Sequence, residues 1–197
     1  MNPASLAALF AVVLAFLIVA FLVLTTYNAI VDLRLRIDKA WSNIDVALKQ
    51  RFDQLPNLVE AVRGVMSWEQ HVLTEVTAAR SAYSPSAPIP DQAATSAATS
   101  SAVRSLFAVV ERYPEVRSAA NVLALQGEIE RLESMIADRR ELYNDQVYRY
   151  NSRIAQVPAV LLAGLLGWRA RPFFEAPGTD RGRPDADLRA DTNPQPD

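Results

Sequence analysis

The stretch ASLAALFAVVLAFLIVAFLVL, residues 4–24, decides the fold of this chain of 197 residues. Nearly every side chain in it is apolar, and the first charged residue of the chain is Asp32. As a helix, these 21 residues would be about 31 Å long, close to the roughly 30 Å thickness of the hydrocarbon core of a bilayer. A helix also satisfies its own backbone hydrogen bonds in lipid. We therefore predict a transmembrane helix over residues 4–25.

A cleaved signal peptide is the main alternative for this segment. Such a peptide has a basic start, an apolar stretch of about 7 to 15 residues and a small-x-small cleavage site. The chain instead starts with Met-Asn-Pro, its apolar run is longer, and the run ends in TTYN. A retained anchor is therefore predicted. Because Arg34, Arg36 and Lys39 follow the run and no basic residue precedes it, residues 1–3 are predicted outside and the large domain in the cytoplasm.

The composition of the chain limits what the domain behind the anchor can be. Its roughly 150 residues are enough for one domain with its own core. The absence of cysteine excludes disulfides, thiolate metal sites and cysteine nucleophiles. The net charge of −2, with both signs interspersed, does not favour nucleic acid as a partner. Only six glycines occur, and such a composition favours helices.

The first part of the domain shows the period of an amphipathic helix. Apolar residues recur at steps of three and four from position 27 to about position 82. Pro56 interrupts the pattern: it lacks a backbone donor and disfavours helical geometry at Leu55, so it either kinks one helix or separates two. The residues around Pro56 permit a turn, and we favour a true break.

A proline-rich stretch predicts the next boundary. Residues 84–90, SPSAPIP, hold three prolines and are predicted to be a linker. Asp91 is the expected N-cap of the following helix, whose Ala/Ser/Thr-rich start over 93–102 is expected to fray. Tyr113 before Pro114 should end that helix.

A second long apolar pattern predicts a helix over about 118–157, which Pro158 closes. Within it, the pairs Tyr143-Asn144 and Tyr150-Asn151 lie a heptad apart, so the members of each kind share one face. Two interpretations of the asparagines remain open. Either they are partly buried and fix the register of the helices, or they lie on the solvated rim.

The end of the chain contains another apolar patch, AVLLAGLLGW, over residues 159–168. Its ten residues are too few to span a bilayer. Either it caps the core of the bundle, or it lies in the membrane interface beside the anchor. In the second case Trp168, Phe173 and Phe174, together with two arginines, form the aromatic and basic rim expected there. The polar residues 176–197 are predicted to be disordered.

These patterns predict an all-α protein, with an amino-terminal transmembrane helix followed by three to four long helices over residues 27–175. The ordered part shows TTYNAIVDLRLRIDKAWSNIDVALKQRFDQLPNLVEAVRG, then VERYPEVR, RRELYNDQVYRYNSRIAQVP and RPFFE. This order resembles the LemA family of bacterial membrane-anchored proteins, with AWSNIDV and PNLVE as the most specific runs.

The resemblance implies a single-pass protein of the bacterial cell membrane with a short external amino terminus and no assigned enzymatic activity. It also implies that the cytoplasmic helices form an antiparallel up-and-down bundle of three to four long helices. The chain departs from the pattern over residues 65–71, where the family tends to place an aromatic residue and a His-Glu pair. The composition of residues 84–101 is also generic. No family role is transferred to these two segments.

The sequence offers few groups for catalysis or metal binding. His71 is the only histidine and is expected to be exposed, and one histidine cannot supply the paired Glu-x-x-His motifs of a di-iron bundle. The acidic residues near the carboxyl end alternate with arginines, as on a solvated helix face. No glycine-rich phosphate loop or nucleophile elbow occurs. We therefore predict no enzyme, no cofactor, no metal site and no small-molecule substrate.

The remaining candidates for contact surfaces are aromatic. Trp41 is expected in the core, whereas Trp68 lies off the apolar stripe and, with Trp168, Phe173 and Phe174, is a candidate interaction residue. The first hypothesis is a membrane-anchored bundle that binds protein partners or self-associates. The alternative is a membrane-surface module that acts on or senses the bilayer through residues 159–174.

Overall fold

The structure is a computed structural model that describes residues 3–63 and 70–175. All the regular structure in these two ranges is helical, which confirms the all-α class. The helices are α1 (Pro3–Arg63), α2 (Gln70–Ser81), α3 (Ile89–Val110), α4 (Pro114–Arg117), α5 (Ala120–Ile154) and α6 (Ala159–Leu166).

Helix α1 contains both the apolar segment and part of the core. Its 61 residues form one helix, whose first part is long and apolar enough to cross a membrane. Apart from the half-buried Ala20, the side chains there are exposed, whereas full burial begins with Thr26 and Ile30 and then recurs along one face to Val62. The apolar segment is therefore joined to the bundle by continuous helix.

The predicted break at Pro56 is wrong, because α1 continues through this residue to Arg63. A proline inside a helix costs about 3 kcal/mol. Its neighbours Leu55, Leu58 and Val59 are all buried in the core, however, and their burial outweighs that cost. The predicted helical stretch to position 82 is instead divided between α1 and α2, and residues 64–69 lie outside the described ranges.

Helices α1 and α5 form the long antiparallel pair of the fold, as specific contacts along it show. Glu133 of α5 lies beside Arg51, Arg139 donates a hydrogen bond to the carbonyl oxygen of Asn43, and the Tyr143 ring packs against Trp41. The residue numbers of these contacts decrease along α1 as they increase along α5, so the two helices run antiparallel. Helix α2 packs on α1 and α3, and α6 packs on both α1 and α5.

The helix boundaries differ from the predictions in three places. Helix α3 begins at Ile89, inside the predicted linker, because proline is tolerated in the first turn of a helix. Its N-cap is Pro88, and Asp91 lies in its first turn. The stretch expected to fray, 93–102, is helical, since its small residues pack inward; they are Ala93, Ser96, Thr99 and Ala102. The last long helix begins at Ala120 and ends at Ile154.

Candidate functional site

The predicted contact residues near the carboxyl end do not share one environment. Trp168 is half-buried, and its ring lies 5.9 Å from that of Tyr27 on α1. Phe173 is exposed. Phe174 is only 2% exposed and packs 5.8 Å from the Trp41 ring, so its assignment to a membrane-facing rim is wrong. Trp68 lies outside the described residues.

Phe174 is buried because residues 171–174, which we call the strap, lie along the α1–α5 pair. Two asparagines of α5 bind the backbone of the strap. Oδ1 of Asn151 accepts from the Arg171 N–H at 2.8 Å, and its Nδ2 donates to the Arg171 carbonyl oxygen at 2.9 Å. Asn144 makes the same pair of bonds with Phe174, at 2.8 and 3.4 Å.

The spacing of the two asparagines explains this arrangement. Seven residues of α-helix rise about 10.5 Å, and three residues of extended chain cover about 10 Å. Asn144 and Asn151 therefore meet the strap at residues three apart. Asn144 and Asn151 are half-buried, in line with the first sequence interpretation, but they bind the backbone of the strap rather than fix the register of the helices.

Two further contacts fasten the strap. The Tyr143 hydroxyl donates to the Pro172 carbonyl oxygen at 2.9 Å, and burial raises the pKa of this phenol to about 12. The Arg171 guanidinium lies 3.7 Å from an Asp38 carboxylate oxygen on α1. The strap thus joins α5 to α1 and returns the chain from α6 to the bundle.

Helix α6 precedes the strap and turns an apolar face outward. Ala159 and Ala163 are buried against the bundle, whereas Leu161 and Leu165, four residues apart on the opposite side, are 72% and 83% exposed. The helix ends at Leu166 and is capped by Gly167, whose positive φ of 67° suits glycine. The bundle core therefore takes up one face of α6 and leaves the leucines of the other face uncovered.

A buried polar cluster lies farther along the α1–α5 pair. Arg51 is fully buried, and its Nη1 donates to Glu133 at 2.7 Å and to the Ser100 hydroxyl at 3.0 Å. Its Nη2 donates to the Ser96 hydroxyl at 2.9 Å, and Ser100 also donates to Glu133. Burial lowers the pKa of Arg51, and Glu133 opposes this shift. The cluster joins α1, α3 and α5.

Sequence reasoning missed Arg51, although a signal existed. Arg51 lies three residues after Leu48 and four before Leu55, on the apolar stripe itself. A charge in that position indicates a buried partner. The serines four apart at 96 and 100 mark the small helix face that receives it.

Other polar groups lie outside the cluster around Arg51. His71 is exposed as predicted and pairs with Glu75 at 3.0 Å. Within residues 3–63 and 70–175, no three potential metal ligands of the His, Cys, Asp and Glu types lie together. An open cleft of about 330 Å³ lies between the end of α1 and α2, and its charged lining residues are Glu60, Arg63 and Arg80.

The fold and these contacts define a class of protein: an all-α protein whose first helix carries a candidate membrane span directly into a helical core. The model of the LemA family matches residues 40–187, more than half of the chain, and the chain belongs to this family.

Two curated relatives are similar over a shorter stretch. They are magnetosome protein MamQ 1 and magnetosome protein MamQ 2 of Paramagnetospirillum magneticum (strain ATCC 700264 / AMB-1). Each is 38% identical over 76 residues, which cover 38% of this chain. The match spans 28% of the length of each relative.

Proposed function

We propose that this protein is a non-enzymatic scaffold of the bacterial cytoplasmic membrane, which holds a helical bundle on the cytoplasmic side for contact with protein partners. The observation that carries the proposal is the continuity of α1. One helix contains the candidate membrane span and then thirteen buried positions, from Thr26 to Val62. A bundle held in this way keeps a fixed orientation to the membrane, as a docking platform requires.

The outer face of α1 is the first place to look for a docking surface. Leu35 and Val46 are exposed and lie eleven residues apart, about three helical turns, on the face opposite the core. Lys39 and Ser42 lie between them on the same face. A mixed face of this kind, with spaced apolar anchors, suits contact with a partner helix.

Crosslinking in living cells followed by purification of the full-length protein tests the proposal. The wild type is compared with a variant carrying Leu35→Ser and Val46→Ser together with Trp68→Ser, the tryptophan candidate from the sequence. Leu123→Ser, an exposed leucine at the start of α5, is the matched control. We expect a discrete protein partner that the triple variant loses and the control retains. Recovery of lipids and further copies of this chain alone contradicts the scaffold function.

The second candidate function is that of a membrane-surface module, and the exposed leucines of α6 favour it. Within residues 159–174, the exposed large apolar side chains belong to α6 and Phe173, whereas Trp168 is half-buried and Phe174 is buried. Recovery of lipids alone in the crosslinking experiment favours this second candidate.

A further inference from the structure

Helix α6 is the most apolar exposed element outside the candidate span. Leu161 and Leu165 dominate its outer face, and Val160 and Leu166 flank them with about half of their surfaces exposed. Single exposed leucines are common on proteins, but a short helix whose whole outer side is aliphatic indicates a partner that covers it.

The position of α6 identifies that partner. Helix α6 packs on α1, and Thr26 is 4% exposed although its neighbours on either side are exposed. Ala20, within the apolar segment, is half-buried. Trp168, two residues after α6, contacts Tyr27. The contact between the two helices therefore lies where the apolar segment ends.

Charged residues are distributed in the same way along α1 and around α6. No charged residue occurs between Arg153 and Arg169, just as none precedes Asp32 on α1. Arg34 and Arg36 follow on α1, and Arg169 and Arg171 follow α6. Two chain segments are therefore apolar at the same end of the bundle and charged beside it, where Arg36 pairs with Asp32 at 2.8 Å and Arg171 lies 3.7 Å from Asp38. Paired tryptophan and tyrosine with flanking arginines are typical of the headgroup level of a membrane.

We propose that α6 is an interfacial membrane element that inserts Leu161 and Leu165 between the lipid acyl chains of the leaflet from which α1 emerges. Elements of this kind lie about 5–10 Å below the headgroup level. The inference rests on the proposed membrane anchor. The strap then has a mechanical role, since it fastens the carboxyl end of α6 to α1 and α5 and fixes how the bundle lies on the membrane.

The absence of cysteine makes this proposal testable in the full-length protein. Leu161→Cys and Leu165→Cys are labelled singly with an environment-sensitive fluorophore, and the protein is reconstituted into nanodiscs of phosphatidylethanolamine and phosphatidylglycerol. Part of the lipid carries a doxyl quencher on its acyl chains. Leu17→Cys in the apolar segment is the membrane control, and Leu142→Cys, exposed on α5, is the control outside the membrane.

We expect doxyl lipid to quench both α6 labels clearly, as it quenches the deeper Leu17 label, and the Leu142 label to remain unquenched. Labels at 161 and 165 that behave like the one at 142 overturn the proposal when the Leu17 label is quenched. In that case α1 is in the bilayer and only the role of α6 fails. An unquenched Leu17 label shows instead that the anchor fails, and the inference fails with it. Crosslinks between the α6 cysteines of two copies, without quenching, assign the face to self-association and also overturn the proposal. Circular dichroism of each variant verifies that the helices are retained.

Discussion

At the scale of single residues, the buried charge of Arg51 requires a charged partner within the core. Breaking a buried ion pair costs about 3–5 kcal/mol, because the remaining charge has no partner. Glu133→Ala leaves the fully buried guanidinium of Arg51 without its charged partner. Arg51→Met leaves a carboxylate that is about one third exposed and that water can solvate.

We therefore expect Glu133→Ala to lower the free energy of unfolding by about 3 kcal/mol and Arg51→Met by roughly 1 kcal/mol. The double variant should be more stable than Glu133→Ala alone. Denaturant unfolding of the full-length protein in micelles measures all three. Glu130→Ala, an exposed carboxylate three residues earlier on α5, is the control and should change little. Equal effects at 133 and 130 contradict the assignment.

Tyr143 gives the fold a dependence on alkaline pH. Burial raises its pKa from 10 to about 12, so the folded state disfavours the phenolate. The stabilisation by the neutral phenol is complete below about pH 10 and is lost as the pH rises towards 12.

Tyr143→Phe should lower the free energy of unfolding by about 1 kcal/mol at pH 9, since it removes the hydrogen bond to Pro172. The difference between the wild type and the variant should then shrink as the pH approaches 12. Urea unfolding at several pH values measures it, with Tyr148→Phe, an exposed tyrosine, as the control. A constant difference across this range argues against the assigned pKa.

At the scale of elements, the strap depends on two side chains of one helix. Asn144 and Asn151 each hold both backbone groups of one strap residue. Removing either side chain leaves backbone groups that need water, at a cost of about 1–3 kcal/mol. We expect Asn144→Ala and Asn151→Ala to speed hydrogen exchange at the Phe174 and Arg171 amides about tenfold or more.

Exchange measured by mass spectrometry on the full-length protein tests this expectation. Asn121→Ala, an exposed asparagine on the same helix, should leave the strap unchanged. Because each asparagine binds a different strap residue, the double variant should release the whole strap and expose Phe174. Unchanged exchange over residues 171–174 in the double variant means that the aromatic contacts with Trp41 hold the strap by themselves.

The sequence allowed the helices to be predicted more reliably than their joints. Apolar residues at steps of three and four indicate that one face of a helix is buried. This pattern predicts the helices that correspond to α1, α3 and α5. Helix α1 continues through Pro56 because the residues around it pack in the core. A rule based on local sequence does not take this packing into account. The strap could not be predicted, since its polar backbone groups pair with side chains at a distance of 20 or 30 residues. The heptad spacing of Asn144 and Asn151 was visible, but its partner was not.

At the scale of the whole molecule, stability is divided unevenly between two pairs of helices. The α1–α5 pair holds the strap and packs against α6, and it supplies Arg51 and Glu133 of the polar cluster, whose serines belong to α3. Helices α2 and α3 pack mainly on each other, and α2 also packs on α1. Opening the second pair leaves the first largely intact, whereas opening the first removes the surface on which the second packs. The molecule should therefore open in two steps of different free energy.

Two matched substitutions separate these steps. Val147 on α5 and Val76 on α2 are both fully buried, and changing either to alanine removes about 2 kcal/mol of apolar burial. Val147→Ala should speed hydrogen exchange throughout α1, α2, α3 and α5, because the α1–α5 pair supports α2 and α3. Val76→Ala should speed it in α2 and α3 alone, since α1 and α5 remain protected until global unfolding. Equal acceleration of all helices by both variants means instead that the bundle opens as one unit.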